Sequence, residues 1–240
     1  MLVAADKKQL EWRVAVELSG DTIGRDEIRL DLDFHAENQK TFGLPSRLIS
    51  KIYLFRTIFR GTAYGFAKDP DFSGVSDDPE YWEEIARKFY RKYQGLDRWH
   101  KHLADLSLRS QPYTGFTGRS WLVPPYITPE GETKLQWSSF TNHPVQGTGA
   151  DLVKLTRIKV HQKMIRYNMK SKLVNTIHDS NVADCPDDEV NAMVNIFHEA
   201  SDELPRDVQT YFNHTLSIPF PCECKAGPSL GELVPIDRTA

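Results

Sequence analysis

Two short strands joined by a tight turn constrain the fold of this chain more than any other feature. Residues 173–177 and 181–183 have strand character and flank His178-Asp179-Ser180. Strands joined by so short a turn pair in antiparallel fashion, and this turn carries an acidic residue at its tip. A second apolar run, residues 2–5, predicts a buried strand that ends beside another acidic residue, Asp6.

Helical patterns fill most of the remaining chain. Apolar spacing and helix start and stop signals predict helices over residues 9–19, 34–43, 46–60, 79–93, 96–108 and 147–168, and one after Pro186. Polar residues 20–32 predict a loop, residues 113–123 a hairpin and residues 216–225 a final strand. With 240 residues, 40% of them apolar, the chain can bury a large core, which excludes a small disulfide-stapled module.

The composition indicates a cellular setting rather than a function. Thirty basic and 33 acidic side chains give a formal net charge of −3, so any nucleic-acid binding has to rest on local patches. Cys185, Cys222 and Cys224 accompany no CxxC motif, which favours a reduced, cytoplasmic protein and argues against structural zinc. The sequence has neither a signal peptide nor a run of roughly 18 apolar residues, so we expect neither export nor a membrane span.

Charged residues follow the first predicted strand. The segment Asp6-x-x-Gln9-x-Glu11-x-Arg13 places one acid at the end of that strand and a second, with an arginine, on the helix that follows. Carboxylates at strand ends are suitable ligands for hard divalent cations. The alternative is that Asp6 caps the helix and that the other charges are solvated.

The helix predicted over residues 46–60 carries a stripe of two cations and two aromatic rings. Arg47, Lys51, Phe55 and Phe59 recur at every fourth position and therefore lie along one side of the helix. Such a face suits a polyphosphate at one end and a sugar or base at the other, and His35 is a further candidate phosphate donor. The alternative is an ordinary amphipathic helix with its phenylalanines in the core and its cations in solvent.

Two side-chain amides, Asn142 and Gln146, precede the helix predicted over residues 147–168. They act either as capping groups or as donors that read a nucleic-acid groove. Residues 147–149 are small enough to let another group approach closely. Neither this segment nor Asp179 on its turn identifies a function alone, since turns favour Asp in any case.

Taken in order, these segments resemble the catalytic motifs of family A (DNA polymerase I-like) DNA polymerases. Asp6-Lys7-Lys8-Gln9-Leu10-Glu11-Trp12-Arg13 with Leu18-Ser19-Gly20-Asp21 is similar to motif A. Arg47-x-x-x-Lys51-x-x-x-Phe55-x-x-x-Phe59, preceded by Asp33-Phe34-His35, is similar to motif B, and His178-Asp179-Ser180 to motif C. Further blocks match in order at Lys92-Tyr93-Gln94-Gly95, Thr117-Gly118-Arg119 and residues 142–151.

The resemblance implies nucleotidyl transfer from a dNTP to a primer 3′-hydroxyl by a two-metal mechanism. Asp6 and Asp179 would hold two Mg²⁺ ions, for which Mn²⁺ can substitute, and the backbone carbonyl of Lys7 would complete one coordination shell. Lys51 would donate a proton to the leaving pyrophosphate. Asp6, Asp179 and Lys51 are therefore the expected catalytic residues.

The resemblance also implies which residues contact the substrates. Those assigned to the incoming dNTP are His35, Arg47, Lys51, Phe55, Phe59 and Glu11. The first three would bind the triphosphate, Phe55 would stack on the sugar and base, and Glu11 would exclude a 2′-hydroxyl. Those assigned to primer-template DNA are Gln9, Arg13, Asn142, Gln146 and His178, of which Arg13, Asn142 and Gln146 would contact the minor groove.

Some positions depart from the family pattern. Ser180 stands where the family usually has Glu, and Phe59 stands where it usually has Tyr, so Phe59 cannot hydrogen-bond Glu11. Arg60 replaces a common Gly, and Ser138 a usual Arg. These changes bear on fidelity and on positioning of the primer terminus, and they remove neither aspartate.

The fold class implied by the resemblance is α+β, with an antiparallel palm sheet that carries the catalytic aspartates and a helical fingers subdomain. We expect residues 1–32 and 111–240 to form the palm, with the motif C hairpin near 173–184, and residues 33–110 to form the fingers, with the O-helix near 46–60. Because the motif A aspartate is the sixth residue, we expect the thumb and exonuclease to be absent. A separate polypeptide would then supply the thumb and the remaining palm, as in a phage-type split polymerase.

Two other functions compete with catalysis. One is a non-catalytic DNA-binding or assembly subunit derived from such a polymerase, which the presence of both Asp6 and Asp179 disfavours. The other is an unrelated two-metal phosphohydrolase, which accounts for the aspartates but not for the stripe of cations and aromatic rings.

Overall fold

The computed structural model describes residues 1–239 and divides into two compact units. Unit 1 combines Met1–Leu10 with the chain from Gly147 onward, and unit 2 is Glu11–Gln146. The palm and fingers boundaries expected at residues 32/33 and 110/111 stay predictions. No helix within residues 1–239 is both long and apolar enough to cross a bilayer.

Helices and short strands alternate along the chain. The strands are β1 (Leu2–Lys7), β2 (Tyr113–Thr114), β3 (Ser120–Trp121), β4 (Tyr126–Ile127), β5 (Thr133–Lys134), β6 (Lys172–Ile177), β7 (Ser180–Asp184), β8 (Cys222–Gly227) and β9 (Val234–Ile236). The helices are α1 (Leu10–Ser19), α2 (Thr22–Arg29), α3 (Phe34–Phe42), α4 (Arg47–Ile58), α5 (Ala63–Lys68), α6 (Pro79–Lys92), α7 (Gln94–Leu108), α8 (Trp137–Arg166), α9 (Val190–Asp202) and α10 (Leu204–Phe212). Short 3-10 turns occur at Pro70–Phe72, Asp187–Glu189 and Leu230–Glu232.

Unit 1 is built on an antiparallel sheet with the strand order β6-β7-β1-β8-β9. Strand β1 lies in the middle, and its register places Asp6 opposite Ser180 of β7 and opposite Glu223 of β8. The next residue, Lys7, lies opposite Cys222. The mixture of helices with an antiparallel sheet confirms the predicted α+β class.

The core of unit 1 lies on one face of this sheet. Val3 and Ala5 of β1 point to that face and pack in one buried cluster with Met193 and Phe197 of α9 and Val160 of α8. Because strand side chains alternate between faces, Asp6 points away from this cluster and is exposed. The apolar alternation of β1 therefore determines which face carries the carboxylate.

Unit 2 has an aromatic core. Tyr53 of α4 stacks on Trp82 of α6 with ring centroids 5.8 Å apart, and Phe66, Phe72 and Phe89 close around them. All five side chains are at most 3% exposed. Burial of one such ring contributes roughly 1.5–3 kcal/mol, so this cluster accounts for much of the stability of unit 2.

Five helices of unit 2 have a side-chain cap at their N-terminus. Asp21, Asp33, Ser46, Thr62 and Asp78 each accept a hydrogen bond from a backbone N–H in the first turn of α2, α3, α4, α5 and α6. Such residues satisfy donors that the helix itself leaves unpaired, at about 1 kcal/mol each. The helices predicted over residues 34–43, 46–60, 79–93 and 96–108 are confirmed to within two residues at each end.

Residues 22–29, within the segment predicted as a loop, form helix α2. The helix is polar, and one of its few buried residues is Glu27. The ammonium group of Lys92 lies 2.6 Å from the Glu27 carboxylate, and the Tyr93 hydroxyl donates to it at 2.8 Å. The prediction was wrong because these partners, 65 and 66 residues further along the chain, make a charged residue suitable for burial.

The predicted start of helix α8 and the extent of the final strand were also wrong. Helix α8 begins at Trp137, ten residues before the predicted start, and continues through Pro144 despite the hydrogen bond that a proline removes. The strand predicted over residues 216–225 starts only at Cys222, as β8, because Pro219 and Pro221 have no N–H group to donate to a neighbouring strand. Helices α5 and α10, the β4–β5 pair and strand β9 were not predicted.

Candidate active site

The two aspartates predicted to bind metal come together in unit 1. Asp6 lies near the end of β1 and Asp179 in the turn between β6 and β7, where His178 adopts a left-handed backbone conformation with φ 53°. Because Asp6 is paired with Ser180, the residue after Asp179, the two carboxyl groups lie within hydrogen-bonding reach of each other. Partial desolvation, followed by the negative charge of Asp179 and this hydrogen bond, raises the pKa of Asp6 to about 6.

Strand β8 places two further charged side chains beside Asp6. Glu223 is its direct cross-strand neighbour, and the negative charge of Glu223 also raises the pKa of Asp6. Lys225, two residues along the same exposed face, acts in the opposite direction. Neither residue was among the predicted site residues, although the alternation Cys-Glu-Cys-Lys in the last predicted strand is a signal that could have indicated them.

The chemistry of this group suits a hard divalent cation. Carboxylates as close as those of Asp6 and Asp179 repel each other unless a proton or a cation lies between them. Oxygen ligands are the ones that Mg²⁺ prefers. The side chain of Lys7 does not take part, because it is buried on the other face, where Nζ donates to Ser201 Oγ at 2.9 Å and to the Phe220 carbonyl at 3.1 Å. The metal contact expected from the Lys7 backbone carbonyl stays a prediction.

The stripe of cations and aromatic rings in unit 2 is on the surface of helix α4. Arg47, Lys51 and Phe55 are exposed, with 48% of Phe55 accessible, and Phe59 at the end of the helix is half-buried. The Phe55 and Phe59 rings meet edge to face with centroids 5.5 Å apart. The alternative, in which the phenylalanines belong to the core, is therefore wrong for Phe55. The core contacts of α4 come instead from Tyr53 and its neighbours.

A cationic cluster forms at the start of α4. Nε of Arg47 donates to Asp33 Oδ2 at 2.6 Å, and Asp33 also caps helix α3, which carries His35. Burial, together with the positive charges of Arg47 and Lys51, lowers the pKa of His35 to about 4. Nδ1 of His35 is buried without a hydrogen-bond partner. The three predicted phosphate-binding residues thus act on one another electrostatically in this unit.

The residues assigned to DNA and to the sugar lie in different environments. Gln146 Nε2 donates to Glu11 Oε1 at 3.5 Å, which brings two predicted site residues of unit 2 together. Asn142, on the same helix as Gln146, has a buried Oδ1 with no partner. Arg13 is only 3% exposed, with Asp31 as a charged neighbour, so its predicted minor-groove contact stays a prediction.

Gln9 and His178, also assigned to DNA, are in unit 1. Gln9 has φ 54° and connects β1 to α1, and His178 is exposed in the hairpin turn. Their predicted DNA contacts also stay predictions.

Two blocks that are distant in sequence meet at a buried capping carboxylate. Asp21 accepts from the Gly24 N–H of α2 at 2.9 Å and also from the Gly95 and Leu96 N–H groups of α7 at 2.7 and 3.2 Å. A Cβ atom on Gly95 would lie 2.5 Å from Asp21 Cα, so only glycine permits this approach. One side chain therefore caps two helices of unit 2, a role that the sequence analysis missed.

Comparisons with known proteins point to one protein family. The family model described as DNA polymerase family A matches residues 1–232. DNA polymerase I of Chloroflexus aurantiacus is 25% identical over 242 residues, which cover 98% of this chain and 24% of that protein. The DNA polymerase of Bacillus phage SP01 is 25% identical over 246 residues, which cover 97% of this chain and 26% of that protein.

A solved structure shares the fold. The POL domain of Pol1 from M. smegmatis, in complex with DNA primer-template and dNTP, superimposes with a TM-score of 0.76 at 18% sequence identity, over 95% of this chain and 39% of that chain. This chain spans about a quarter of the length of the two curated relatives above. Since the family model covers nearly all of the sequence, the chain belongs to DNA polymerase family A.

Proposed function

We propose that this chain carries the nucleotidyl-transfer site of a template-directed DNA polymerase. The reaction joins the α-phosphate of a dNTP to the 3′-oxygen of a primer and releases pyrophosphate. The observation that carries the proposal is the pair formed by Asp6 and Asp179, whose carboxyl groups lie within hydrogen-bonding reach at the end of a central strand and on an adjacent hairpin turn. Membership of family A supports the assignment.

Asp6 and Asp179 are the proposed ligands of two Mg²⁺ ions, for which Mn²⁺ can substitute, together with the Lys7 backbone carbonyl. Bound there, the ions would lower the pKa of the primer hydroxyl and neutralise charge on the triphosphate. The chain's own contribution is a pair of oxygen ligands on a rigid sheet. Because the pKa of Asp6 is about 6, its carboxyl group can be ionised near neutral pH, and a cation bound beside it would favour that state further.

The exposed face of α4 is the proposed dNTP contact. His35, Arg47 and Lys51 would bind the triphosphate, and Lys51 would also donate a proton to the leaving pyrophosphate. Arg47 is held by Asp33 in the structure, and a triphosphate would compete with this carboxylate for the guanidinium group. About half of the Phe55 side chain is accessible, which suits stacking on a sugar or base.

The remaining assigned residues act on the sugar and on the DNA. Glu11, placed by its contact with Gln146, would exclude a 2′-hydroxyl, and Phe59 would support the ring of Phe55. The proposed primer-template contacts are Gln9, Arg13, Asn142, Gln146 and His178. Because the chain spans about a quarter of the length of its relatives, we also propose that efficient synthesis requires further polypeptide, on the same protein or as a separate partner.

The decisive variants are Asp6→Asn and Asp179→Asn, assayed with the protein assembled with the polypeptide that completes the polymerase. Each should lower primer extension by at least about a hundredfold, because charge stabilisation at the reacting phosphate is the largest part of such catalysis. The matched control is Asp184→Asn, which removes an exposed carboxylate at the other end of β7 and should extend primers normally.

Binding of Mn²⁺ gives a second readout that does not depend on turnover. Electron paramagnetic resonance should show Mn²⁺ bound to the unchanged chain and to Asp184→Asn, and much weaker binding to Asp6→Asn and Asp179→Asn. Near-normal primer extension by Asp6→Asn or by Asp179→Asn would rule out the proposed role of the aspartates. DNA binding without extension by the unchanged, fully assembled protein would favour the non-catalytic subunit instead.

A further inference from the structure

The face of β8 opposite Glu223 carries two thiols. Cys222 and Cys224 alternate with Glu223 and Lys225, and both cysteines point toward the face that α9 covers. His198 of α9 reaches the same place, with its Nδ1 atom 3.9 Å from Cys222 Sγ. One ligand atom from each of His198, Cys222 and Cys224 lies within 4.8 Å of the other two.

These distances are close to those of a tetrahedral metal site. With Zn–S bonds of about 2.3 Å and Zn–N bonds of about 2.0 Å, neighbouring ligand atoms in a tetrahedron are separated by roughly 3.5–3.8 Å. The observed separations, at most 4.8 Å, would close by about 1 Å, which a change of side-chain torsion supplies without moving the strand. Thiolate sulfur and imidazole nitrogen are the ligands that zinc selects, whereas Mg²⁺ selects oxygen.

Two neighbouring groups indicate that this cluster is more than apolar packing. His198 directs Nδ1 toward Cys222 Sγ, and its other ring nitrogen, Nε2, is buried without a hydrogen-bond partner among the described residues, so Nδ1 is the nitrogen available to a metal here. The ammonium group of Lys7 is buried on the same face, where Lys7 lies opposite Cys222 in the sheet, so a positive charge is already present beside the two sulfur atoms. A neighbouring positive charge favours the thiolate form of cysteine, which is the form that binds metal.

We propose that His198, Cys222 and Cys224 bind one zinc ion on the helix-covered face of the unit 1 sheet. A water molecule completes the tetrahedron, because the nearby Ser201 hydroxyl is already engaged with Lys7 and with the Phe197 carbonyl. The ion ties helix α9 to β8, the strand whose other face carries Glu223 opposite Asp6. The absence of a CxxC motif from the sequence disfavours structural zinc. In a strand, however, Cys-x-Cys already places two thiols on one face.

The test is the zinc content of the protein, because it does not depend on polymerase activity. The chain is purified under reducing conditions, loaded with ZnCl₂, desalted and measured by inductively coupled plasma mass spectrometry. We expect one zinc ion per chain for the unchanged protein. Cys222→Ser and Cys224→Ser should each weaken zinc binding by at least about a hundredfold in a chelator competition, since loss of a ligand costs more than loss of an outer hydrogen bond.

The matched control is Cys185→Ser, which changes a buried cysteine in the same core cluster but outside the proposed ligand set, and it should retain zinc. His198→Gln leaves both thiols in place and should also lose zinc, which covers the case in which a cysteine variant fails to fold. Cobalt loaded into the unchanged protein should show thiolate-to-cobalt charge transfer in the near ultraviolet. A zinc-free chain after loading, zinc retained by a Cys222→Ser/Cys224→Ser double variant, or a Cys222–Cys224 disulfide in the reduced preparation would each overturn the proposal.

Discussion

The buried histidine of helix α7 makes the acid stability of unit 2 predictable. His100 is 0% exposed, and its Nδ1 lies 3.2 Å from the Tyr90 hydroxyl. Burial, reinforced by the positive charge of Arg60, lowers the pKa of His100 to about 3. An unfolded chain would protonate the same imidazole near pH 6.5.

The sign and size of the effect follow from proton linkage. Between pH 6.5 and pH 3 the unfolded state binds a proton that the folded state does not, so stability is full above pH 6.5 and is lost as the pH falls. At pH 5 the His100 contribution to the free energy of unfolding is lower by about 2 kcal/mol than at pH 8, from 1.36 kcal/mol per pH unit over about 1.5 units. Other titrating groups add their own contributions, so the comparison has to be made between variants.

The variant that tests this is His100→Asn, because the Asn side-chain oxygen can still accept a hydrogen bond from the Tyr90 hydroxyl. All five tryptophans lie within residues 11–146, so tryptophan fluorescence during urea unfolding reports on unit 2. Moving from pH 8 to pH 5 should destabilise the unchanged chain by about 2 kcal/mol more than His100→Asn. The exposed His102 on the same helix provides the control, since His102→Asn should behave as the unchanged chain does. If the unchanged chain and His100→Asn lost the same free energy of unfolding between pH 8 and pH 5, His100 would not be the cause of the acid destabilisation.

Three other expectations follow from the structure. Asp21→Ala removes the acceptor of three backbone N–H groups and should lower the free energy of unfolding by about 3 kcal/mol, whereas Asp26→Ala on the exposed side of α2 should change it by less than about 0.5 kcal/mol in the same urea experiment. Lys51→Ala should raise the KM for dNTP at least about tenfold without changing the melting temperature, because Lys51 is exposed. Phe55→Tyr should relax discrimination against dideoxynucleotides. A lower melting temperature with unchanged incorporation kinetics would instead make the stripe on α4 structural.

Local patterns in the sequence were sufficient where neighbouring residues determine the structure. The strand that carries Asp6 and the turn that carries Asp179 are such cases, because apolar runs and turn-forming residues are local signals. The exposure of Phe55 also agrees with the four-residue spacing that placed it with Arg47 and Lys51.

Predictions failed where a partner distant in sequence decides the environment. Helix α2 was missed because Glu27 is buried only through Lys92 and Tyr93. The burial of Arg13 could not be read from its charge either, and its predicted DNA contact stays a prediction. The cluster of His198 with two cysteines spans 24 residues between His198 and Cys222, and only the packing of α9 on the sheet brings it together.

Side chains of β1 alternate between the two faces of the sheet. The face on which Asp6 lies therefore depends on whether the number of strand residues before it is odd or even. Asp6 and Lys7 are adjacent in sequence but belong to opposite faces, with Asp6 beside Glu223 and Lys7 beside Cys222. A deletion of one residue from β1 before Asp6 would exchange these faces and put the Lys7 ammonium group in the position of the Asp6 carboxylate. An insertion of two residues would preserve the faces. Such a strand can therefore change length only in even steps, unless an odd residue is absorbed by an irregularity such as the one near Leu173 on β6.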